Sequence, residues 1–114
     1  MSIIYNSNYD LTIPFSDDSA QVALGVGVEQ TYTVPGPATT YYSVRFAYIS
    51  TSNVFVRLNA IPTTPGAASV TTQTYSEFRP GADGSQRYVK GGDVIHFITP
   101  DATAYVGISL RQLP

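Results

Sequence analysis

The feature that most constrains this chain is an alternation of period two, broken every few residues by glycine or proline. From Arg87 to Leu110 it reads RYVKGGDVIHFITPDATAYVGISL. Ala104, Val106, Ile108 and Leu110 alternate with Thr103, Tyr105, Gly107, Ser109 and Arg111, setting one apolar face against one mixed face. Successive side chains of a strand point to opposite sides of its sheet, so the pattern predicts a half-buried antiparallel strand. Ahead of it, Asp93 to Thr99 places Val94, His96 and Ile98 on one face and Ile95 and Phe97 on the other. Lys90-Gly91-Gly92-Asp93 supplies a tight turn before that strand, because glycine reaches positive φ without a Cβ clash, and Pro100-Asp101 stops it. The two strands are expected to form a C-terminal hairpin.

The rest of the chain repeats the pattern. Tyr9 to Ile13 is a first candidate strand, followed by breakers at Pro14 and Ser16-Asp17-Asp18-Ser19. Gln21 to Val28 sets Val22, Leu24, Val26 and Val28 against Ala23, Gly25 and Gly27, a small-residue face that implies close backbone approach or a bulge. Glu29 to Val34 continues as strand, with Tyr32 and Val34 inward, until Pro35-Gly36-Pro37. Tyr41 to Ile49 places Tyr42, Val44, Phe46 and Tyr48 together and has apolar residues on both faces, as a central strand does. After a turn at Ser50 to Asn53, Val54 to Asn59 returns as its expected hairpin partner. Ile61 to Thr72 reads as a long loop, and Thr74 to Arg79 as a short strand burying Tyr75 and Phe78. No window carries helical periodicity. The expected fold is therefore all-β: an antiparallel, jelly-roll-like β-sandwich of about eight short strands. It divides into an N-terminal arm, residues 1–8, and a single sandwich domain, residues 9–114.

Composition narrows function by exclusion. The chain has no cysteine, so disulfides and thiolate metal sites are ruled out. Charged residues are 12% of the 114, while serine and threonine fill 24 positions, which predicts a neutral, hydroxyl-rich surface. Six basic and eight acidic side chains are scattered without a basic stripe, which disfavours nucleic-acid binding through phosphate neutralisation and membrane binding through a polybasic patch. The N-terminus lacks the basic flank and apolar run of a signal peptide, and no stretch is apolar enough to span a bilayer.

Candidate chemical groups are few. His96 is the only histidine, and a strand imidazole without a neighbouring partner reads as a packed or edge residue, not a catalytic base or zinc ligand. Asp17, Asp18 and Asp83 lie in turn sequences, where turn formation outweighs cation binding. Glu29 and Glu77 are the only glutamates and fall in separate strands, poor support for a glycosidase pair. Gly25-Val26-Gly27 belongs to an alternating strand and opens into no helix, so it is no phosphate cradle. No cofactor and no catalytic set is expected. Nine tyrosines are the unusual resource, since a tyrosine buries its ring while its hydroxyl keeps a partner. The stretches Gln30 to Val44 and Leu58 to Ser76 carry no charge, the composition of an interface centre.

The closing segment RYVKGGDVIHFITPDATAYVGISLRQLP, with its VKxGDxI turn, strand and final alternating strand, resembles small structural proteins of tailed bacteriophages, most nearly the capsid decoration or cement proteins. That resemblance implies a non-enzymatic protein on the capsid surface of a virion, made in the host cytoplasm. It would bind the major capsid protein and clamp neighbouring subunits as a homo-oligomer, dimer or trimer, with no nucleic-acid or membrane partner. Contacts are expected from the arm, at Ile3, Ile4 and Tyr5, from Tyr41, and from the long loop at Ile61, Pro62 and Pro65. The alternative is a glycan- or receptor-binding sandwich of a phage tail or lectin-like protein, stacking sugars on Tyr41, Tyr75 or Tyr105.

Overall fold

The structure is a computed structural model that describes residues 15–49, 52–62 and 76–114. It contains β1 (Asp18–Gly25), β2 (Gln30–Thr33), β3 (Tyr41–Tyr48), β4 (Phe55–Leu58), β5 (Glu77–Phe78), β6 (Arg87–Lys90), β7 (Val94–Ile98) and β8 (Thr103–Gln112). Two four-stranded antiparallel sheets result, ordered β1-β8-β3-β6 and β2-β7-β4-β5. The fold is an all-β sandwich.

The pairing is that of one long ribbon. β1 pairs with β8, β2 with β7, β3 with β6 and β4 with β5, so two arms of the chain run antiparallel along their whole length. The ribbon then rolls up, adding β3 to β8 and β4 to β7. In consequence the chain changes sheets at every connection except β4 to β5.

Two expectations are corrected by this. The strands on either side of Ser50 to Asn53 do not form a hairpin, because β3 and β4 lie in opposite sheets. Nor do β7 and β8. A turn of a few residues that reverses the chain also bridges the ~10 Å between packed sheets, so the turn sequence alone does not choose between the two.

Alternation decides the core. Val44 of β3 and Val106, Ile108 and Leu110 of β8 face Val34, Val54, Ile95 and Phe97 from the other sheet, all of them buried. Phe46 meets Phe97 edge-on, with centroids 6.0 Å apart and planes at 74°. Each such side chain contributes about 1.5–3 kcal/mol by leaving water. β3 lies between β8 and β6, as its two apolar faces predict.

The strand expected from Gln21 to Val28 begins earlier and ends at Gly25. Gly27 takes a left-handed φ of 66°, and Val26 turns away to form a parallel bridge with Thr99, which leaves Val26 and Val28 exposed. Phe78, expected inside, is half-exposed and packs against Phe55 with centroids 5.2 Å apart and planes tilted by 47°. The candidate strand Tyr9 to Ile13, Tyr75 and most of the loop from Ile61 to Thr72 lie outside the described residues.

Strict reversal of direction gives the sandwich two distinct ends. The terminus end carries the start of β1, the finish of β8 and the β2–β3, β4–β5 and β6–β7 connections. The distal end carries the other four connections. Backbone bonds close each end: Gly92 N–H donates to Val34 O at 2.9 Å at the first, extending the β2–β7 pairing, and Gly27 N–H donates to Thr99 O at 2.8 Å at the second, joining the exit of β1 to the end of β7 in the other sheet.

Candidate interaction surface

The charge-free stretches of the sequence meet at the terminus end. Gln30 to Val44 runs through β2, the β2–β3 connection and the first half of β3, and of the stretch Leu58 to Ser76 the described residues Leu58 to Pro62 leave β4 at the same end. Backbone packing there is tight. A Cβ on Gly91 would stand 2.3 Å from the carbonyl oxygens of both Gly36 and Pro37, so only glycine lets the β6–β7 turn lie against the β2–β3 connection. Gly91 N–H donates to Thr40 O at 2.9 Å, and Leu113 N–H to Tyr41 O at 2.8 Å.

Aromatic and aliphatic side chains cover this rigid end. Tyr41 pairs with Lys90 across β3 and β6, which puts Tyr41, Tyr88 and Lys90 on the outer face of the sheet. The two rings lie 6.2 Å apart at 56°, with Tyr41 45% and Tyr88 72% exposed. Leu113 is exposed beyond the end of β8, and Ile61 is 66% exposed in the β4–β5 connection. Of the contact residues expected from sequence, Tyr41 and Ile61 are thus exposed at one end of the molecule. Pro62 is fully buried, so its apolar ring serves the packing of this end and not its surface. Ile3, Ile4, Tyr5 and Pro65 lie outside the described residues. Tyr88 was missed, although parity reveals it: with Val89 inward, its neighbour must point out.

Further along the same sheet face, side chains span three strands. Gln86 accepts from both Ser43 Oγ and the Arg111 guanidinium, linking β3, β8 and the entry to β6. Beyond Arg45 the face becomes small: Gln21, Gly107 and Ala47 sit in one cross-strand row, beneath Tyr105 and Ile49. They floor a shallow depression of about 320 Å³. Tyr105 is partly exposed at its rim.

The groups weighed for catalysis are dispersed. His96 has a partner after all, since its Nδ1 lies 3.0 Å from Glu29 Oε2 on the outer face of the β2-β7-β4-β5 sheet. The expectation of an isolated imidazole is corrected; the pairing joins residues far apart in sequence. Glu77 sits on the opposite edge strand of that sheet, three strand spacings or about 14 Å away, against the ~5–9.5 Å of a glycosidase pair. It pairs instead with Arg87. That pair spans the open side between β5 and β6, over an opening of about 280 Å³ walled by Val44, Val56, Leu58, Val89 and Ile95.

The aspartates do structural work. Asp17 accepts from Gln112 N–H at 2.6 Å, fastening the start of β1 to the end of β8. Asp83 accepts from Ser85 N–H at 3.0 Å within its turn, and the bonds from Ser85 hold its carboxyl below the usual carboxylate range. Among the described residues, no group of three or more His, Cys, Asp or Glu side chains could hold a metal ion. Tyr48 donates its hydroxyl to Pro80 O at 2.5 Å, and burial raises the pKa of that hydroxyl despite the Arg79 guanidinium over its ring.

Comparison with protein-family models and with curated proteins finds no match for this chain. No helix among the described residues is long and apolar enough to cross a membrane.

Proposed function

We propose that this protein is a non-enzymatic virion structural protein that binds the outside of a bacteriophage capsid and clamps neighbouring subunits. The observation that carries the reading is the terminus end: a rigid, charge-poor surface presenting Tyr41, Tyr88, Leu113 and Ile61. Interface centres are depleted of charge and rich in tyrosine, and a surface held by Gly91 and backbone bonds loses little entropy on docking. The closing segment's resemblance to decoration proteins supports the same reading. The eight strands in two antiparallel sheets support it too, since they suit a jelly-roll-like ribbon such as many capsid proteins have. The lone lysine Lys90 borders the two rings and would orient the contact by charge, not dominate it.

The test is co-sedimentation with undecorated capsids of the same virion. Wild-type protein should pellet at a fixed stoichiometry, and Tyr41→Ser combined with Tyr88→Ser should stay in the supernatant with an unchanged circular dichroism spectrum. Wild-type protein that never pellets, or a double variant that pellets equally well, would overturn the reading.

Tyr105 above its depression favours one second reading, a glycan-binding module in which a sugar ring stacks on the phenol and Gln21 meets a hydroxyl. A reproducible soluble ligand on a glycan array, lost in Tyr105→Ala, would replace the capsid reading with this one.

A further inference from the structure

We propose that β1 is a pairing edge, along which two copies of this chain join antiparallel about a two-fold axis. The two β1-β8-β3-β6 sheets would then continue as one sheet of eight strands.

The four edge strands of the sandwich are not alike. An edge presents a row of unpaired N–H and C=O groups, and proteins guard such rows with short length, charge, proline or bulges. β5 has two residues and β6 four, and both carry charge: Glu77 on one, Arg87 and Lys90 on the other. Arg87 and Glu77 also close that side by reaching across to each other. β2 is short, at four residues. β1 has eight residues, about 27 Å of extended chain, and no proline. Its pairing with β8 is unbroken from Asp18↔Leu110 to Gly25↔Thr103, so no bulge bends the strand away. Its only charge is Asp18, at the first position.

The side of β1 that the described residues leave open is also apolar. Ala20 and Val22 point inward but are only partly buried, whereas their cross-strand neighbours Ile108 and Val106 on β8 are fully buried. Tyr32 of β2, on the same side, is likewise only partly buried against the core. What fits there is an extended strand whose alternate side chains are apolar and whose others are small and neutral.

β1 itself meets that description, and its sequence chooses a register. With the axis through Val22, Val22 faces its own copy and Ala20 faces Leu24 on the inner side. On the outer side Gln21 faces Ala23 and Ser19 faces Gly25. Asp18 falls opposite Val26, beyond the partner strand's end, so no two charges oppose. Shifting the axis to Gln21 would set Asp18 against Leu24. A C2 interface must be self-complementary, and this strand is.

The dimer depends on neither reading of function, and particle binding is a separate readout from it. Edge pairing buries less than the ~1,200–2,000 Å² of a standard interface, so association should be reversible and visible only at high concentration. Sedimentation equilibrium from about 10 μM to about 1 mM should show the mass rising toward twice the 12.3 kDa of the chain. Gln21→Lys combined with Ala23→Lys places lysine opposite lysine twice in this register, and should move the dissociation midpoint at least about tenfold higher. Ser109→Lys, on the outer face of the central strand β8, should leave it where it is. Hydrogen exchange on the wild-type chain gives an independent readout: alternate amides of β1 should slow as concentration rises, and those of β6 should not. A chain that stays monomeric across the range overturns the proposal. So does a dimer that resists the paired lysines, or one that Ser109→Lys weakens equally.

Discussion

β4 and β7 lie side by side, and an Asn–Asp clamp closes the pair at each end. At the terminus end Asn59 Nδ2 donates to Asp93 Oδ1 at 3.1 Å, Val94 N–H donates to Asn59 Oδ1 at 2.8 Å, and Lys90 N–H donates to Asp93 Oδ2 at 2.9 Å. At the distal end Asn53 N–H and Nδ2 donate to the two oxygens of Asp101 at 2.8 and 3.2 Å. Thr99 Oγ1 then donates to Asn53 O at 2.5 Å and accepts from Asp101 N–H at 3.1 Å. The chemistry is nearly the same; the water is not. Asp93 is buried, whereas the Asn53–Asp101 bonds stand in solvent, with only Thr99 buried beneath them. Water can replace a partner lost by Asp101 more readily than one lost by Asp93, so similar bonds should carry unequal weight. The surface proposed to dock is thus the end built to hold its shape.

The comparison is broken most severely at Gly91. Alanine there drives a methyl group into two backbone carbonyls that have nowhere to move, so Gly91→Ala should cost about 3 kcal/mol or more, or prevent folding. Gly25, near the distal end, has nothing within 4 Å of a built Cβ, and Gly25→Ala should leave the urea midpoint unchanged or slightly raised. If both substitutions cost the same, the terminus end is not the rigid one. Asp93→Ala comes next. It removes the acceptor of the Lys90 N–H and of the Asn59 amide, both part-buried bonds, and should lower stability by about 1–3 kcal/mol in urea unfolding. Asn59, with a left-handed φ of 60°, is a residue type that tolerates this conformation, so Asn59→Ala should add backbone strain to the lost bonds.

Much of this architecture is legible in the sequence and some of it is not, for a physical reason. A period of two tells which side chains share a face, so Tyr42, Val44 and Phe46 of β3 and Ala104 to Leu110 of β8 were placed correctly. It says nothing of which strand lies alongside. Lys90-Gly91-Gly92-Asp93 looks like a hairpin turn, yet it carries the chain between sheets, because the roll of the ribbon is decided by contacts remote in sequence. The same blindness hid two side-chain pairings. His96 and Glu29, or Asn53 and Asp101, meet only once β2, β4 and β7 are side by side. Charge depletion did show in sequence that two stretches were unusual; only the alternating strand directions show that the first of them and the described start of the second, Leu58 to Pro62, arrive at one end.

The smallest expected effect is at Asp101, and acid is the way to sharpen it. The bonds from the Asn53 backbone and side chain hold the Asp101 carboxyl below its ordinary value of 3.8, against a small opposing effect of burial. The folded state therefore binds this proton less readily than the unfolded chain does. Stability from the clamp is fully present above the ordinary value and is lost as pH falls through the lowered folded one. Asp83 is lowered in the same direction by Ser85, so acid alone weakens the wild type at two places and assigns neither. Asp101→Asn separates them. At neutral pH its melting temperature should fall by less than that of Asp93→Ala, since solvent reaches the bonds it disturbs. As pH falls below the ordinary value the gap between variant and wild type should close, because protonation then weakens the same clamp in the wild type. A gap that stays constant into acid would mean that the Asp101 charge contributes nothing to the distal clamp. The contrast between the two ends would then rest on geometry alone.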